Sequence, residues 1–316
     1  MCFLASFLIA LNAVFPFLFY LGFGFLTQKI GLVDESFLNK LNTVVFRCFF
    51  PFLMFWNLYN VEDGLQVDGR FLSITIGSLV LLIALLCLSV PRIVKERSRQ
   101  SVIIQAIYRS NFVLFGIPMA GSLCGSKGAA LATVTVAIAV PIYNAFAVIL
   151  FEYYRGGDVK PLKLLRDIVT NPLILGAIVG LLFLLLGIRL PSALEKPVSE
   201  FSGLTTPLAL FVLGGTLRFN SMKAHRRYLW PATAIKLLLL PLLATAISLA
   251  MHFSSAEMVV FLIMSGAPVA VSSFTMAANM GGDGELAGEF VFLSTVLSLF
   301  TLFGFIAAYH SLGYIV

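Results

Sequence analysis

The chain is a near-continuous succession of apolar segments, and its charged residues lie mostly in the short stretches between them. About 20 apolar residues in a helix cross the hydrocarbon core of a bilayer. Of the 316 residues, 59% are hydrophobic and only 11% are charged. Lipid offers the backbone no hydrogen-bond partners, so such segments fold as helices. The sequence therefore predicts an all-α membrane protein, and the net charge of +6 does not indicate a nucleic-acid partner.

The length criterion predicts ten transmembrane helices in two halves of five. The first half, 1–153, and the second, 168–316, are separated by a short polar loop over 154–167. The N-terminal segment lacks the basic start of a signal peptide, so we expect it to be retained as the first helix. The ten predicted ranges are 5–28, 36–60, 71–91, 101–124, 128–153, 168–188, 198–217, 228–252, 256–279 and 286–310.

The placement of Lys and Arg predicts the orientation in the membrane. Loops after odd-numbered helices hold fourteen of the 21 basic residues, the opposite side holds four, and Arg47, Arg109 and Lys236 lie inside helices. Basic loops stay in the cytoplasm. We therefore predict a multi-pass protein of the cell (inner) membrane with both termini outside and the 154–167 loop cytoplasmic. An odd number of helices per half makes the second half enter from the opposite side, as an inverted repeat.

The predicted fourth and ninth helices share a Gly-x-Pro-x-Ala core, at 116–120 and 266–270, 150 positions apart. A proline inside a helix removes a backbone donor and clashes with the preceding turn. Within a membrane, matched breaks in two halves of a chain are typical of a transport site. We therefore predict that these helices are broken at Pro118 and Pro268 and cross there. At this separation Phe261 is the counterpart of Asn111.

Two further matches between the halves have larger separations. Asn12 and Asn171 lie 159 positions apart, and Pro51 and Pro207 lie 156 apart. Proline is common in membrane helices, so an internal repeat and coincidence explain these two matches equally well.

The residues near the two breaks predict a polar, largely uncharged site for an anion. Helix N-termini that meet at the membrane centre carry partial positive charge, and amides and hydroxyls can donate hydrogen bonds to a carboxylate. Each hydroxyl can instead bond to its own helix, whereas the Asn111 amide needs a partner in hydrocarbon. The candidate residues are Arg109, Asn111, Gly116, Pro118, Ser122, Gly266, Pro268, Ser272, Ser273 and Asn279.

The three intramembrane cations admit two interpretations. Such residues indicate function by default, but long side chains can also extend to the membrane surface. For Arg109 the two are equally weighted, and for Arg47 and Lys236 the surface interpretation is favoured. No Asp or Glu lies centrally in a predicted helix, which favours an anionic cargo and leaves a coupling ion without an evident ligand. No motif predicts an enzyme, a cofactor or a metal.

Taken together, these motifs resemble those of the auxin efflux carrier family in its shorter, bacterial form. The resemblance rests on 111–118, supported by 266–268, 171–172 and 207–216. It implies an inverted-repeat fold like that of the bile-acid/sodium symporters. Helices 1, 2, 6 and 7 would then form a scaffold that often dimerises, helices 3–5 and 8–10 would form a transport domain, and Asn111, Pro118 and Pro268 would match the substrate-contacting centre.

The expected function is secondary active or facilitative transport of small organic anions by alternating access. The resemblance implies carboxylates such as malonate, malate or auxin-like acids. The alternatives are a sodium- or proton-coupled symporter of the bile-acid type and a membrane receptor that binds a ligand without moving it. The expected partners are a carboxylate substrate, the lipid bilayer and a second copy of the chain in a homodimer through the scaffold helices.

Overall fold

The structure, a computed structural model, describes residues 2–60, 68–155 and 161–315, and within those ranges the chain is helical with no β-strand. Helices cover every segment predicted from hydropathy, so the all-α class is confirmed. The helices are α1 (Cys2–Lys29), α2 (Glu35–Tyr59), α3 (Gly69–Ile93), α4 (Arg97–Tyr108), α5 (Phe112–Tyr154), α6 (Pro161–Val169), α7 (Pro172–Leu185), α8 (Ser192–Thr216), α9 (Ser221–Ala250), α10 (Ser255–Gly266), α11 (Val271–Met280) and α12 (Gly284–Ser311).

Seven helices in the described ranges are long and apolar enough to cross a membrane, namely α1, α2, α3, α5, α8, α9 and α12. Two more, α7 and α10, are apolar but shorter, with fourteen and twelve residues. A chain with this many apolar spans is a multi-pass membrane protein. The shorter helices fall where the sequence predicts the sixth helix and the first part of the ninth.

The 43-residue helix α5 doubles back on itself. A straight helix of that length would extend about 65 Å, more than twice the thickness of the hydrocarbon core. Gly125 has φ 64° and ψ −154°, a conformation that glycine adopts without strain. A Cβ atom on Gly128 would lie 2.3 Å from the carbonyl oxygen of Ala120, whereas eight residues of straight helix span about 12 Å. The two arms, 112–124 and 126–154, separate where the sequence predicts the fourth and fifth helices to separate.

The predicted loop over 154–167 is wrong in part. Residues 156–160 lie outside the described residues, but α6 already begins at Pro161 and continues to Val169. Proline is well suited to the first turn of a helix because its fixed φ is helical and its missing N–H would have no partner there. The stretch therefore contains part of a nine-residue helix that its polar composition did not indicate.

Two of the long helices contain a five-residue π turn just before a proline. In α2 the turn is Val45–Phe49, followed by Pro51, and in α9 it is Ile235–Leu239, followed by Pro241. A proline cannot donate to the carbonyl four residues earlier and clashes with it. The wider π turn accommodates that lost bond without ending the helix.

Glycines bring the backbones of α1 and α8 into close contact. A Cβ atom on Gly24 would lie 1.9 Å from the carbonyl oxygen of Phe211, and one on Gly214 would lie 2.0 Å from that of Leu21. A similar contact joins α7 to α2, since a Cβ atom on Gly176 would lie 2.3 Å from the carbonyl oxygen of Pro51. Small residues at helix interfaces are typical of membrane proteins, where close backbone approach replaces the hydrophobic effect. Helices α1, α2, α7 and α8 therefore form one packed group.

Gly24→Ala is expected to destabilise the protein, because the added methyl group forces α1 away from the Phe211 backbone. Overpacking of this kind typically decreases stability by about 1–3 kcal/mol. The loss should appear as a lower midpoint when the fraction of monodisperse protein is measured after heating in detergent. Gly22→Ala is the matched control, since no atom lies within 4 Å of its added Cβ. Equal midpoints for the two variants would contradict the close approach of α1 and α8.

Helices α10 and α11 form the most enclosed part of the chain. Every residue from Met258 to Met264 on α10 is buried, and so is every residue from Val271 to Ala277 on α11. A helix that is apolar on all sides is stable only when other helices surround it. Here α10 packs against α5 and α9, and α11 packs against α12. The interruption between α10 and α11 is therefore shielded from lipid.

Candidate functional site

Two interrupted helices meet at the centre of this enclosed region. The backbone is extended at Arg109, between α4 and α5, and at Ala267, between α10 and α11. Ser110 and Val269 form an antiparallel bridge. The Asn111 N–H donates to the Pro268 carbonyl at 2.8 Å, and the Ala270 N–H donates to the Arg109 carbonyl at 3.3 Å. Each interruption thereby satisfies backbone groups of the other, as backbone at membrane depth requires.

The break of the fourth predicted helix is at 109–111, so its prediction at Pro118 is wrong. Pro118 lies inside α5 with helical geometry. It still deprives the Leu114 carbonyl of its helical donor, and both residues face a cavity described below. Pro268 does lie in an interruption, as predicted. The bridged residues are 159 positions apart (110 to 269), a separation that would relate Asn111 to Ala270, whereas the 150-residue separation relates it to Phe261.

Side chains from neighbouring helices fix the crossing in place. The Ser110 hydroxyl donates to the Met264 carbonyl, and the Val269 N–H donates to the Ser294 hydroxyl at 3.0 Å. The Lys236 ammonium donates to the Ser110 hydroxyl and is only 1% exposed. The prediction that Lys236 extends to the membrane surface is therefore wrong, because its π turn in α9 faces the crossing. Arg47, by contrast, is exposed on α2.

A small cavity of about 50 Å³, lined by both apolar and polar side chains, lies against the crossing. Residues of both interrupted helices, of α2, of the second arm of α5 and of α8 line it. Its polar side chains come from Asn57, Arg109, Ser110, Asn111, Tyr143, Asn144, Thr206 and Ser272. The cavity is therefore lined by hydrogen-bonding groups and one cation.

Arg109 is the charged group of this cavity and is only 2% exposed. Its guanidinium donates to Gln105 Oε1 at 3.3 Å and to Asn144 Oδ1, and it contacts the Met276 sulfur at 2.8 Å. All three partners are neutral. Among the residues that the structure describes, no carboxylate lies within 4 Å of this guanidinium. A buried charge is normally paired, so the cavity carries an uncompensated positive charge.

Asn111 and Gln105 add unused hydrogen-bond donors near this charge. Asn111 is 9% exposed, and its buried side-chain nitrogen has no hydrogen-bond partner among the described residues. The Gln105 side-chain nitrogen is likewise buried and unpaired. Buried polar groups without partners are rare. Their combination with an uncompensated guanidinium favours a ligand that is anionic and accepts several hydrogen bonds.

A larger vestibule of about 610 Å³ adjoins the small cavity. It lies between α1, α2, α8 and the first arm of α5, and it shares Leu53, Asn57, Val113, Leu114 and Thr206 with the small cavity. Its walls are mostly apolar, with Asn12, Pro118 and Ser122 among the lining residues. The vestibule and the small cavity, which Arg109 lines, therefore have the five shared residues as a common wall.

The ten predicted site residues fall into three groups. Arg109, Asn111, Pro268 and Ser272 lie at the crossing or line the small cavity, and Pro118 and Ser122 line the vestibule. Gly116, Gly266, Ser273 and Asn279 line neither cavity, and Asn279 donates to the Thr275 carbonyl of its own helix at 2.8 Å. Ser122 also bonds within its helix, to the Pro118 carbonyl at 2.8 Å.

Sequence reasoning missed Asn144, which positions the guanidinium of Arg109. Its oxygen accepts from Arg109, and its nitrogen lies 2.7 Å from the Met54 sulfur on α2. The sequence did contain a signal for Asn144, because an amide inside an apolar segment needs a hydrogen-bond partner in hydrocarbon. In the described part of the chain, no cluster of three or more His, Cys, Asp or Glu side chains could hold a metal ion.

The apolar spans, the interrupted helices and the enclosed polar cavity are those of a helical membrane transport protein. The chain belongs to the membrane transport protein family, the auxin efflux carrier-like family that its motifs resemble, and the family model matches residues 9–306.

Two relatives are similar over almost their whole length. One, from Methanothermobacter thermautotrophicus, is named "Uncharacterized transporter" and is 24% identical over 88% of this chain and 91% of its own. The other, from Rhizobium meliloti, is named "Putative malonate transporter" and is 23% identical over 92% of this chain and 93% of its own. The predicted membership of a transporter family is thereby confirmed.

Proposed function

We propose that this membrane transporter moves small dicarboxylates of the malonate type across the cell (inner) membrane by alternating access. The observation that carries the proposal is Arg109, a buried guanidinium with only neutral partners, beside the unpaired amide of Asn111. A planar guanidinium binds a carboxylate through two parallel hydrogen bonds. The name of the Rhizobium meliloti relative agrees with this cargo class.

Charge balance favours a dianion over a monocarboxylate. Lys236 and Arg109 are both buried at the crossing, and Ser110 connects them, because it bonds to Lys236 and adjoins Arg109 in the chain. No described carboxylate pairs with either cation. At mid-membrane two such charges are unfavourable without a counter-charge. Two carboxylates on one small solute would supply it, with one of them directly on Arg109.

The arrangement of helices supports a scaffold and a moving unit. The close-packed group α1, α2, α7 and α8 corresponds to the predicted scaffold, and the vestibule lies between this group and the first arm of α5. Its lining comes from the middle of α1 (12–20), the last part of α2 (53–57) and the middle of α8 (199–210). The homodimer through the scaffold stays a prediction.

The register of the crossing supports an inverted repeat of ten helices. Its two hydrogen bonds connect Asn111 with Pro268 and Ala270 with Arg109. Each residue of the first interruption is related to one of the second by the same shift of 159 positions (109 to 268, 111 to 270). Asn12 and Asn171 show the same shift. An inverted repeat that brings two interrupted helices together at the membrane centre is typical of secondary transporters.

Uptake of radiolabelled malonate into proteoliposomes tests the proposal. We expect saturable uptake that other small dicarboxylates inhibit and that acetate and short amines do not. Parallel assays with and without a sodium or proton gradient distinguish a coupled symporter from a facilitative carrier. Malonate binding without uptake in every gradient would indicate a receptor. Neither binding nor uptake of any dicarboxylate would overturn the proposed cargo.

A further inference from the structure

A third cavity, of about 200 Å³, shares no lining residue with the vestibule. Its walls are formed by α3, α9 and α10, and Tyr108 and Tyr143 also line it. At its rim Leu81, Leu85 and Leu243 are 61%, 54% and 48% exposed. Exposed leucines on the outer surface of a membrane protein face lipid tails. This cavity is therefore a lateral one, entered from the bilayer and not from water.

The lateral cavity is narrow and elongated. On α3 its lining extends from Thr75 to Leu85, and on α9 from Lys236 to Ile247. These stretches of eleven and twelve residues correspond to about 15–17 Å of helix. Towards the start of α3, a contact between the Phe71 and Phe253 rings, 5.2 Å apart, packs α3 against the end of α9. The shape suits a single unbranched chain.

Among the described residues that line this cavity, only Lys236 is charged. Its ammonium has three donors, and the Ser110 hydroxyl takes one of them. In the part of the chain that the structure describes, no carboxylate lies within 4 Å of this ammonium. Lys236 also lies midway along the 30-residue helix α9. An apolar channel therefore leads from the lipid to an unpaired cation deep in the membrane.

We propose that the lateral cavity binds a single-chain amphiphilic carboxylate, with the carboxylate on the Lys236 ammonium and the alkyl chain between α3 and α9. An apolar cavity of about 150 Å³ holds a six-carbon ring, so this one accommodates roughly eight chain carbons. A two-chain phospholipid is too bulky, and its phosphate stays at the membrane surface. The site adjoins the dicarboxylate cavity, with which it shares Tyr143, and both anions would draw on the charge of Lys236.

Photolabelling of the full-length protein in nanodiscs tests this site. The probe is an eight-carbon carboxylic acid with a diazirine near its chain end, and the matched probe is the corresponding alcohol. We expect the acid to label the lining residues of α3, from Thr75 to Leu85, and those of α9, from Lys236 to Ile247. Octanoate should compete with the probe. At equal concentration in the membrane, competition should improve with chain length up to roughly eight carbons and no further. Malonate should compete weakly, through the charge of Lys236 that both anions would share.

Two variants distinguish the effect of the Lys236 charge on probe labelling from the effect of the shape of the lateral cavity. Lys236→Met is expected to reduce labelling by the acid at least tenfold while labelling by the alcohol is unchanged. Ser78→Phe fills the cavity from α3, leaves Lys236 in place and should reduce labelling by both probes. Equal labelling by acid and alcohol, or acid labelling that survives Lys236→Met in monodisperse protein, would overturn the proposal and leave a cavity filled by lipid tails.

Discussion

Arg109→Met is expected to lower malonate uptake by about 100-fold, because removing one member of a desolvated charge pair costs about 2–5 kcal/mol. Methionine fills a similar volume but offers no donor to a carboxylate. Arg109→Lys keeps the charge and loses the planar fork, so it should retain more uptake than Arg109→Met and less than the wild type. Initial rates in proteoliposomes measure both effects.

The same substitution is expected to leave the protein folded. The guanidinium has no acidic partner among the described residues, so its removal relieves an unpaired buried charge. Against this, the oxygens of Gln105 and Asn144 each lose a donor, at about 1–3 kcal/mol for an unpaired buried group. The two effects oppose each other. We therefore expect a thermal midpoint close to that of the wild type together with lost uptake.

Arg47→Gln is the matched control for Arg109→Met. Arg47 is also an intramembrane cation, but it is exposed on α2 and lines neither the small cavity nor the vestibule. Its substitution should leave malonate uptake within about twofold of the wild type, as is usual for exposed charges. Wild-type uptake by Arg109→Met, or an equal loss in both variants, would contradict the role assigned to Arg109.

Asn111→Asp is expected to reduce malonate uptake by about 100-fold with almost no change of shape. The new carboxylate lies two positions from Arg109, so it can neutralise the guanidinium and repel an incoming anion. Like charges brought together at a desolvated site cost several kcal/mol. The hydrogen bond from the Asn111 backbone to Pro268 does not involve the side chain, so the crossing should persist. Asn111→Ser, which keeps one donor, should lose only about tenfold in uptake.

Asn279→Asp makes the same chemical change far from the cavity and serves as the control. The Asn279 side chain only donates to the carbonyl of Thr275 in its own helix, among the hydrogen bonds that the structure describes. Its substitution should leave the apparent affinity for malonate unchanged. If Asn111→Asp transports malonate normally, the anion does not approach Asn111. If it gains uptake of a small amine instead, the charge of residue 111 selects the cargo.

Hydropathy predicted the helices well because each span is a local property of about 20 residues. It also placed a helix boundary close to Gly125, where α5 doubles back. It placed the fourth-helix break wrongly because Pro118 is a local signal, whereas the true interruption at 109–111 contains no proline. That interruption exists because residues 267–270, far away in the chain, supply its hydrogen-bond partners.

The site was predicted in part for the same physical reason. Arg109 and Asn111 stand out in sequence because polar groups inside an apolar run need partners. The burial of Lys236 depends on α4, α10 and α12 packing against its π turn, and no local pattern encodes those contacts. Asn279 and Ser122 were included because they follow a proline, yet helix geometry turns their side chains to carbonyls of their own helices.

The antiparallel bridge between Ser110 and Val269 has a consequence for how this protein can be modified. Its two hydrogen bonds join main-chain groups, so they persist whichever side chains occupy 109, 111 and 270. The charge and polarity of those positions can therefore be changed while the antiparallel bridge between the two interrupted helices is kept. Substitutions at these positions could therefore change the charge of the solute that the protein accepts, from a dianion to a monoanion or a neutral molecule. The main-chain hydrogen bonds between the two interrupted helices would be kept.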